Sequence, residues 1–240
     1  MPPLRAAAFA GAAGLTAPAL APVVAPIADR LGIPRRLRDS TTVAITFDDG
    51  PHPQGTPAVL DALAGAGMRA TFFLVGEQVR RTGSLAAEIV AAGHAVAVHG
   101  DRHRCLLRLT PGMLRGDLER AIDTIGAATG ERPVVHRAPY GVYSWIALRE
   151  LRRRGWTPVL WSTWGRDWAR RATPRSVASL TLRDLRGGGV VLLHDADDYS
   201  AHGSWRATAM ALPRILAAVG ERRLLPVTLT GAAALHVPGR

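Results

Sequence analysis

The chain contains no lysine and one cysteine, Cys105. A single thiol can neither close an intrachain disulfide nor supply a Cys-x-x-Cys metal site. Without lysine, the formal charge of +11 is carried by arginine alone. These arginines are scattered rather than gathered into one tract, which argues against a specific nucleic-acid partner and leaves an anionic surface as a secondary partner class. Internal repeats and low-complexity linkers are also missing after residue 41. With 48% hydrophobic residues in 240, the chain is long and apolar enough to bury a substantial core, which argues against disorder.

The first 40 residues differ from the rest. From Ala6 to Ile27 the sequence is Ala-rich, follows Arg5 and is broken by Pro18, Pro22 and Pro26. It has the apolar body of a signal sequence or anchor, while its prolines, and Pro22 directly after Ala21, fit neither a cleavage site nor a spanning helix. We therefore expect residues 1–40 to be a leader or membrane anchor, 41–230 the folded domain, and 231–240 a tail. The expected location is extracytoplasmic or membrane-associated, with the cytoplasm as alternative, and the expected state is a monomer.

From Thr42 onward, short apolar runs alternate with longer amphipathic segments. Strands are predicted at 42–47, 70–75, 95–98, 133–136, 157–161, 189–193 and 224–227, and helices at 56–66, 84–92, 111–128, 144–153, 173–185 and 205–219. The longest helix is marked by Thr110 as cap, Gly130 as stop and a stripe of Leu114, Leu118, Ile122 and Ile125. Repeated strand–helix units with apolar strands imply a parallel sheet covered by helices. Polar residues fall repeatedly at strand ends: Asp48 and Asp49 after the first, His99 after the third, Arg137 after the fourth, His194 after the sixth. A barrel mouth gathers all of them, so we expect a distorted, TIM-like (β/α) barrel of about seven parallel strands with the active site at their C-terminal ends.

Neighbouring side chains of a strand face opposite ways, so Asp48 and Asp49 can share a site only where the strand ends, and Gly50-Pro51 supplies that turn. Two close carboxylates stay ionised most readily around a cation; an exposed Asp-Asp turn is the plainer reading. His99 and His103 come to one side if their loop takes a helical turn. With Asp49 they make a His-His-Asp set that leaves a coordination position open, as in catalytic zinc sites, although such a His pair can also be unrelated to metal. Arg137 can orient a carboxylate, and Pro139-Tyr140-Gly141 can turn a backbone N–H inward, unless the segment is a solvated surface loop. Trp161, Trp164 and Trp168 surround Asp167. That group is either core around a satisfied acid or a partner for a catalytic His beside a sugar-stacking floor. His194 ends a buried strand and suits a general acid oriented by Asp167. His52, His94, His136, His202 and His236 have no comparable partners and read as structural or surface residues.

Taken together, the residues resemble the polysaccharide deacetylases of carbohydrate esterase family 4, over about Thr42 to Val227. Five ordered motifs carry the resemblance: Thr46-Phe-Asp-Asp-Gly50, His99-x-x-x-His103, Arg137-x-Pro139-Tyr140-Gly141, Asp167-Trp168 and Leu192-x-His194. The resemblance implies a zinc-type divalent ion held by Asp49, His99 and His103, Asp48 as general base oriented by Arg137, and His194 as general acid tuned by Asp167. Tyr140 would add a backbone oxyanion donor and Trp168 a substrate contact. It further implies a hydrolase that removes N-acetyl groups from amino sugars of a glycan such as cell-wall peptidoglycan or chitin-like oligomers. The alternatives are a small amide, imide or O-acetyl ester as substrate, or a non-catalytic glycan-binding protein. One departure is Gly100, where the family's second motif has Ser or Thr, so a hydroxyl that would brace the loop is missing.

Overall fold

The structure, a computed structural model, describes residues 17–236. Its strands are β1 (Thr42–Asp48), β2 (Thr71–Leu74), β3 (Ala95–Val98), β4 (Val135–His136), β5 (Thr157–Pro158), β6 (Thr163–Trp164), β7 (Gly189–His194) and β8 (Leu225–Pro226). They lie in the order β5-β4-β3-β2-β1-β7-β6, all parallel, with β8 added beside the start of β1. β5 and β6 belong to one run, 157–164, which pairs first with β4 and then with β7. The chain thus crosses from one edge of the sheet to the other and curls it into the expected distorted barrel. Counted as one strand, this run brings the total to seven.

The same crossing explains why the strand predicted at 157–161 is split. Leaving β4 to reach β7, the run turns the Leu160 N–H to Pro34 O and the Ser162 N–H to Val190 O. Ordinary ladder pairing cannot be kept with both neighbours at once.

Both faces of the sheet are buried, which is why its strands are apolar runs rather than alternating ones. Val43, Ile45 and Phe47 of β1 face the helices, whereas Ala44 packs in the barrel interior with Phe73, Ala97, Val190 and Leu192. Thr46 and Asp48 share the inward face of Ala44 by the two-residue period.

The helices are α1 (Ala25–Arg30), α2 (Gly55–Gly65), α3 (Gly76–Arg81), α4 (Leu85–Ala91), α5 (Pro111–Thr129), α6 (Trp145–Arg153), α7 (Pro174–Asp184) and α8 (Ser204–Glu221). In α5 the Thr110 hydroxyl accepts from the Met113 N–H, Gly130 takes φ 75°, and the Leu114, Leu118, Ile122 and Ile125 stripe is buried. α3 has no counterpart in the sequence reading. Its Gly-Glu-Gln-Val-Arg-Arg turn buries Val79 alone among large apolar residues, too little for a helical period to show.

Residues upstream of 41 also pack. Ala21, Ala28, Ile33 and Leu37 are buried in the inner core, and Leu37 pairs with Gly188 and with Leu235 near the other end of the chain. Arg152 of α6 donates to Leu31 O at 2.6 Å. Small and apolar residues punctuated by proline are what a leader shows in composition, but here residues of 21–37 pack into the inner core. Residues 1–16, on which most of the leader or anchor expectation falls, and 237–240 lie outside the described residues. Among the described residues, no helix is long and apolar enough to cross a membrane.

Ile33→Ala separates a packed segment from a leader. Loss of a fully buried Ile side chain costs about 2–5 kcal/mol of unfolding free energy, read from the urea midpoint. An unchanged midpoint would show that 21–37 is dispensable to the fold.

Candidate active site

The inward face of β1 delivers Asp48 to the mouth of the barrel, and the chain turns at the next residue. Asp49 has φ 78°, and the Gly50–Pro51 peptide is cis. A left-handed backbone is rare for a non-glycine residue and is held here by its surroundings, which lets consecutive carboxylates line one cavity. Gly50 has no room for a side chain, because a Cβ there would fall on the Asp195 carboxylate. Asp195 also accepts from the Thr56 hydroxyl, tying the Asp48–Gly50 turn to the first turn of α2. Burial, reinforced by Asp49, pushes its carboxyl up to about 7.

His99 follows β3 on the face of Ala97. Its Nδ1 hydrogen-bonds to the Arg137 carbonyl at 2.9 Å; since a carbonyl only accepts, Nδ1 carries the proton and Nε2 is left with its lone pair. That Nε2 is 3.3 Å from Asp49 Oδ1, and His103 Nε2 is 3.2 Å from the same oxygen. Asp49 Oδ1 makes no hydrogen bond although it is buried. Burial pushes the Asp49 carboxyl up, but His103, His99 and the charge of His194 outweigh it and hold the group below the usual carboxylate range.

These three atoms fit a metal ion. Ligands about 2.0–2.1 Å from a tetrahedral centre lie roughly 3.3–3.4 Å apart, close to the separations seen, and an orphaned oxygen facing two imidazole nitrogens is what a shared cation resolves. Asp49, His99 and His103 thus form a group able to hold a divalent ion. His103 Nδ1 has no hydrogen-bond partner. Its ring is positioned by packing instead: Tyr199 stacks on it at 4.3 Å and the Tyr140 ring meets it edge-on at 4.5 Å. Tyr199 is itself fixed by donating to Glu77 at 2.6 Å and accepting from Gln78 at 2.9 Å.

The missing hydroxyl at position 100 has a structural counterpart. Gly100 takes φ 92°, and a Cβ there would lie 3.1 Å from Asp117 Oδ2. Asp117, from α5, accepts the Asp101 N–H at 2.9 Å, and the Asp101 carboxylate is gripped by Arg80 at 2.7 Å and Arg120 at 3.1 Å. The loop between the two histidines is therefore braced from α3 and α5.

Across the cavity, Arg137 is fully buried and donates to Asp48 Oδ1 at 2.6 Å and to the Thr46 hydroxyl at 2.8 Å. Its guanidinium lies 4.0 Å over the Phe73 ring. Asp167 accepts from the His194 backbone N–H at 2.6 Å and from His194 Nδ1 at 3.0 Å, and Thr208 of α8 donates to it at 2.7 Å. Burial alone would lower the His194 pKa. The Asp167 charge and hydrogen bond, then Asp49 and Asp48, push it up to about 10.

The cavity, about 280 Å³, is lined by Asp48, Asp49, His99, His103 and His194, with Tyr140 and Trp168 in its wall; Arg137 and Asp167 stand behind Asp48 and His194. Every site residue expected from sequence is thus in or against one cavity. Thr46, Asp117, Tyr199, Thr208 and Asp195 were missed. Thr46, two residues before Asp48 on the same strand face, and Asp195, next to His194, had a local signal; the others reach the site through tertiary packing. His52, expected to lack a partner, pairs with Asp197 at 3.2 Å, and its Nδ1 accepts the Gly55 N–H at 2.9 Å.

Asp117→Ala removes the loop brace. We expect affinity for a divalent ion to fall about 10- to 100-fold in a chelator competition, with the circular dichroism spectrum retained. Unchanged affinity would assign the brace to Asp101 alone.

Comparisons with known proteins agree with this geometry. A polysaccharide deacetylase family model matches residues 36–159. A chitooligosaccharide deacetylase of Bradyrhizobium sp. is 40% identical over 155 residues, 64% of this chain and 70% of its own. A peptidoglycan-N-acetylglucosamine deacetylase of Bacillus cereus is 32% identical over 177 residues, 72% of this chain and 79% of its own. Among solved structures, a peptidoglycan N-acetylglucosamine deacetylase in complex with an N-hydroxybenzamide superposes with a TM-score of 0.76 at 25% identity, over 82% of this chain and 89% of that one. The chain belongs to the polysaccharide deacetylase family.

Proposed function

We propose that the protein is a metal-dependent hydrolase that removes N-acetyl groups from amino sugars of a glycan. The observation that carries this reading is the placement, around one cavity, of an Arg-oriented carboxylate, a His-His-Asp group and an Asp-gripped imidazole. Relatives named for chitooligosaccharides and for peptidoglycan support a glycan substrate. Two imidazoles and one carboxylate suit zinc best among common divalent ions.

An amide is a poor electrophile with a poor leaving group, so hydrolysis needs an activated water, an oxyanion partner and a proton for the departing amine. Asp49, His99 and His103 would hold the ion, which when bound would supply Lewis acidity and lower the pKa of water. Asp48 is presented as base by Arg137, which occupies Oδ1 and leaves Oδ2 on the His99 side, 3.9 Å from Nε2. Tyr140 contributes its backbone N–H to the developing oxyanion. His194, with Nδ1–H committed to Asp167, directs Nε2 to the cavity and protonates the leaving nitrogen. Trp168 sets the edge of this imidazole, its ring T-shaped against His194 at 5.5 Å, and offers an apolar face to the sugar.

Acetate release from chitin and peptidoglycan fragments, with chelator and with metal restored, tests the reading. We expect release that chelator abolishes and a divalent ion recovers. Release from small amides or acetyl esters alone would move the substrate outside glycans, and no release from any of them would end the assignment. A second measurement addresses the acid. His194 donates its proton only below its pKa, so kcat falls as pH rises through that value. Asp167→Asn removes the largest upward influence on His194, and we expect the alkaline limb of the kcat profile to shift to lower pH. An unmoved limb would take the acid role away from His194.

A further inference from the structure

Beside the catalytic cavity lies a second groove, of about 490 Å³, that shares His103 and Tyr140 with it as a common wall and includes Arg104, Arg108, Leu109 and Met113 in its lining. No acidic residue lines it. Arg108 is exposed and forms no ion pair among the described residues. Arg104 Nε is buried without a hydrogen-bond partner. The nearest carboxylate paired with Arg104 is Asp117, 3.7 Å from its Nη2, and Asp117 is already engaged in bracing the metal-ligand loop. Leu109 and the half-exposed Met113 give the groove an apolar floor, and Tyr140, 58% exposed, forms the ridge between the two depressions.

We propose that this groove is a subsite for an anionic group, a carboxylate or a phosphate ester, carried by the sugar next to the one that is deacetylated. The proposal rests on the deacetylase reading of the neighbouring cavity. Guanidinium groups present forked donors matched to the oxygens of both anions. A groove of this size, with an apolar floor and few polar groups, suits a sugar ring and its substituent. Arg108, exposed and outside any ion pair among the described residues, is the cation that an anionic substituent in this groove would meet. The shared wall places the anion within one sugar of the acetamido group. The preferred substrate is then an acidic glycan rather than a neutral chitin-like one.

The test compares three matched N-acetylated oligomers, in which the adjacent sugar carries a free lactyl carboxylate, the same carboxylate amidated, or a phosphate monoester. Acetate-release kcat/KM and calorimetric affinity are measured for each. We expect at least one charged oligomer to be favoured over the amide roughly tenfold, an advantage that weakens at high salt. Which one is favoured identifies the source of the anion. Arg108→Gln should bring the ratio close to one, and Arg108→Glu should reverse it. Equal handling of charged and amidated oligomers by the unaltered protein overturns the subsite while leaving the deacetylase reading intact. A binding preference that disappears in Arg108→Gln, with no acetate released from any oligomer, keeps the subsite and removes the deacetylase reading.

Discussion

The structure depends on one buried ion pair, between Arg137 and Asp48. A guanidinium with no solvent exposure is tolerated only when its charge and its donors are met. Here Asp48, the Thr46 hydroxyl and the Leu160 carbonyl meet most of them, and the Phe73 ring covers one face. Those partners come from β1, from β2 and from the run that closes the barrel, while Arg137 itself follows β4. The interaction that orients the Asp48 carboxylate is therefore also a cross-brace inside the barrel. Removing either partner would leave the other buried and uncompensated, so the geometry of the cavity and the stability of the fold are coupled at this position.

Strain is concentrated at the same end of the molecule. Of the four non-glycine residues with positive φ among the described residues, Asp49, Tyr140 and Arg166 lie at or next to the cavity. Each interrupts regular backbone just where a strand end must present a functional group. Around the metal-ligand loop, support comes from hydrogen bonds at His99 and from ring packing at His103, so two ligands of one group are held by different physics. The Asp117 brace also shows that a motif residue can be absent while its mechanical task is performed by a helix more than a dozen residues away.

Much of this was legible before the fold was known. Apolar runs ending in Asp, His or Arg revealed strands and their functional ends together, because a strand buried on both faces has no other place for a polar side chain. Cap residues such as Thr110 and Thr173 set helix starts closely, since one hydrogen bond defines them. What escaped were features without local periodicity: α3, the split of 157–161, and the packing of residues 21–37. Thr208 and Asp117 escaped for a related reason. Each lies on an ordinary amphipathic helix, and only the tertiary fold aims it at Asp167 or at the Asp101 N–H.

The run that closes the barrel gives its two halves different mechanical characters. β1 is paired with β7 from Val43 to Asp48, whereas 157–164 holds each of its neighbours over only two residues. Local opening follows the sparsest hydrogen bonding. Asp48 ends the long ladder, and Trp161, Trp164 and Trp168 stand on or just beyond the short ones. The carboxylates are therefore tied to the sheet by a longer ladder than the aromatic wall of the cavity is.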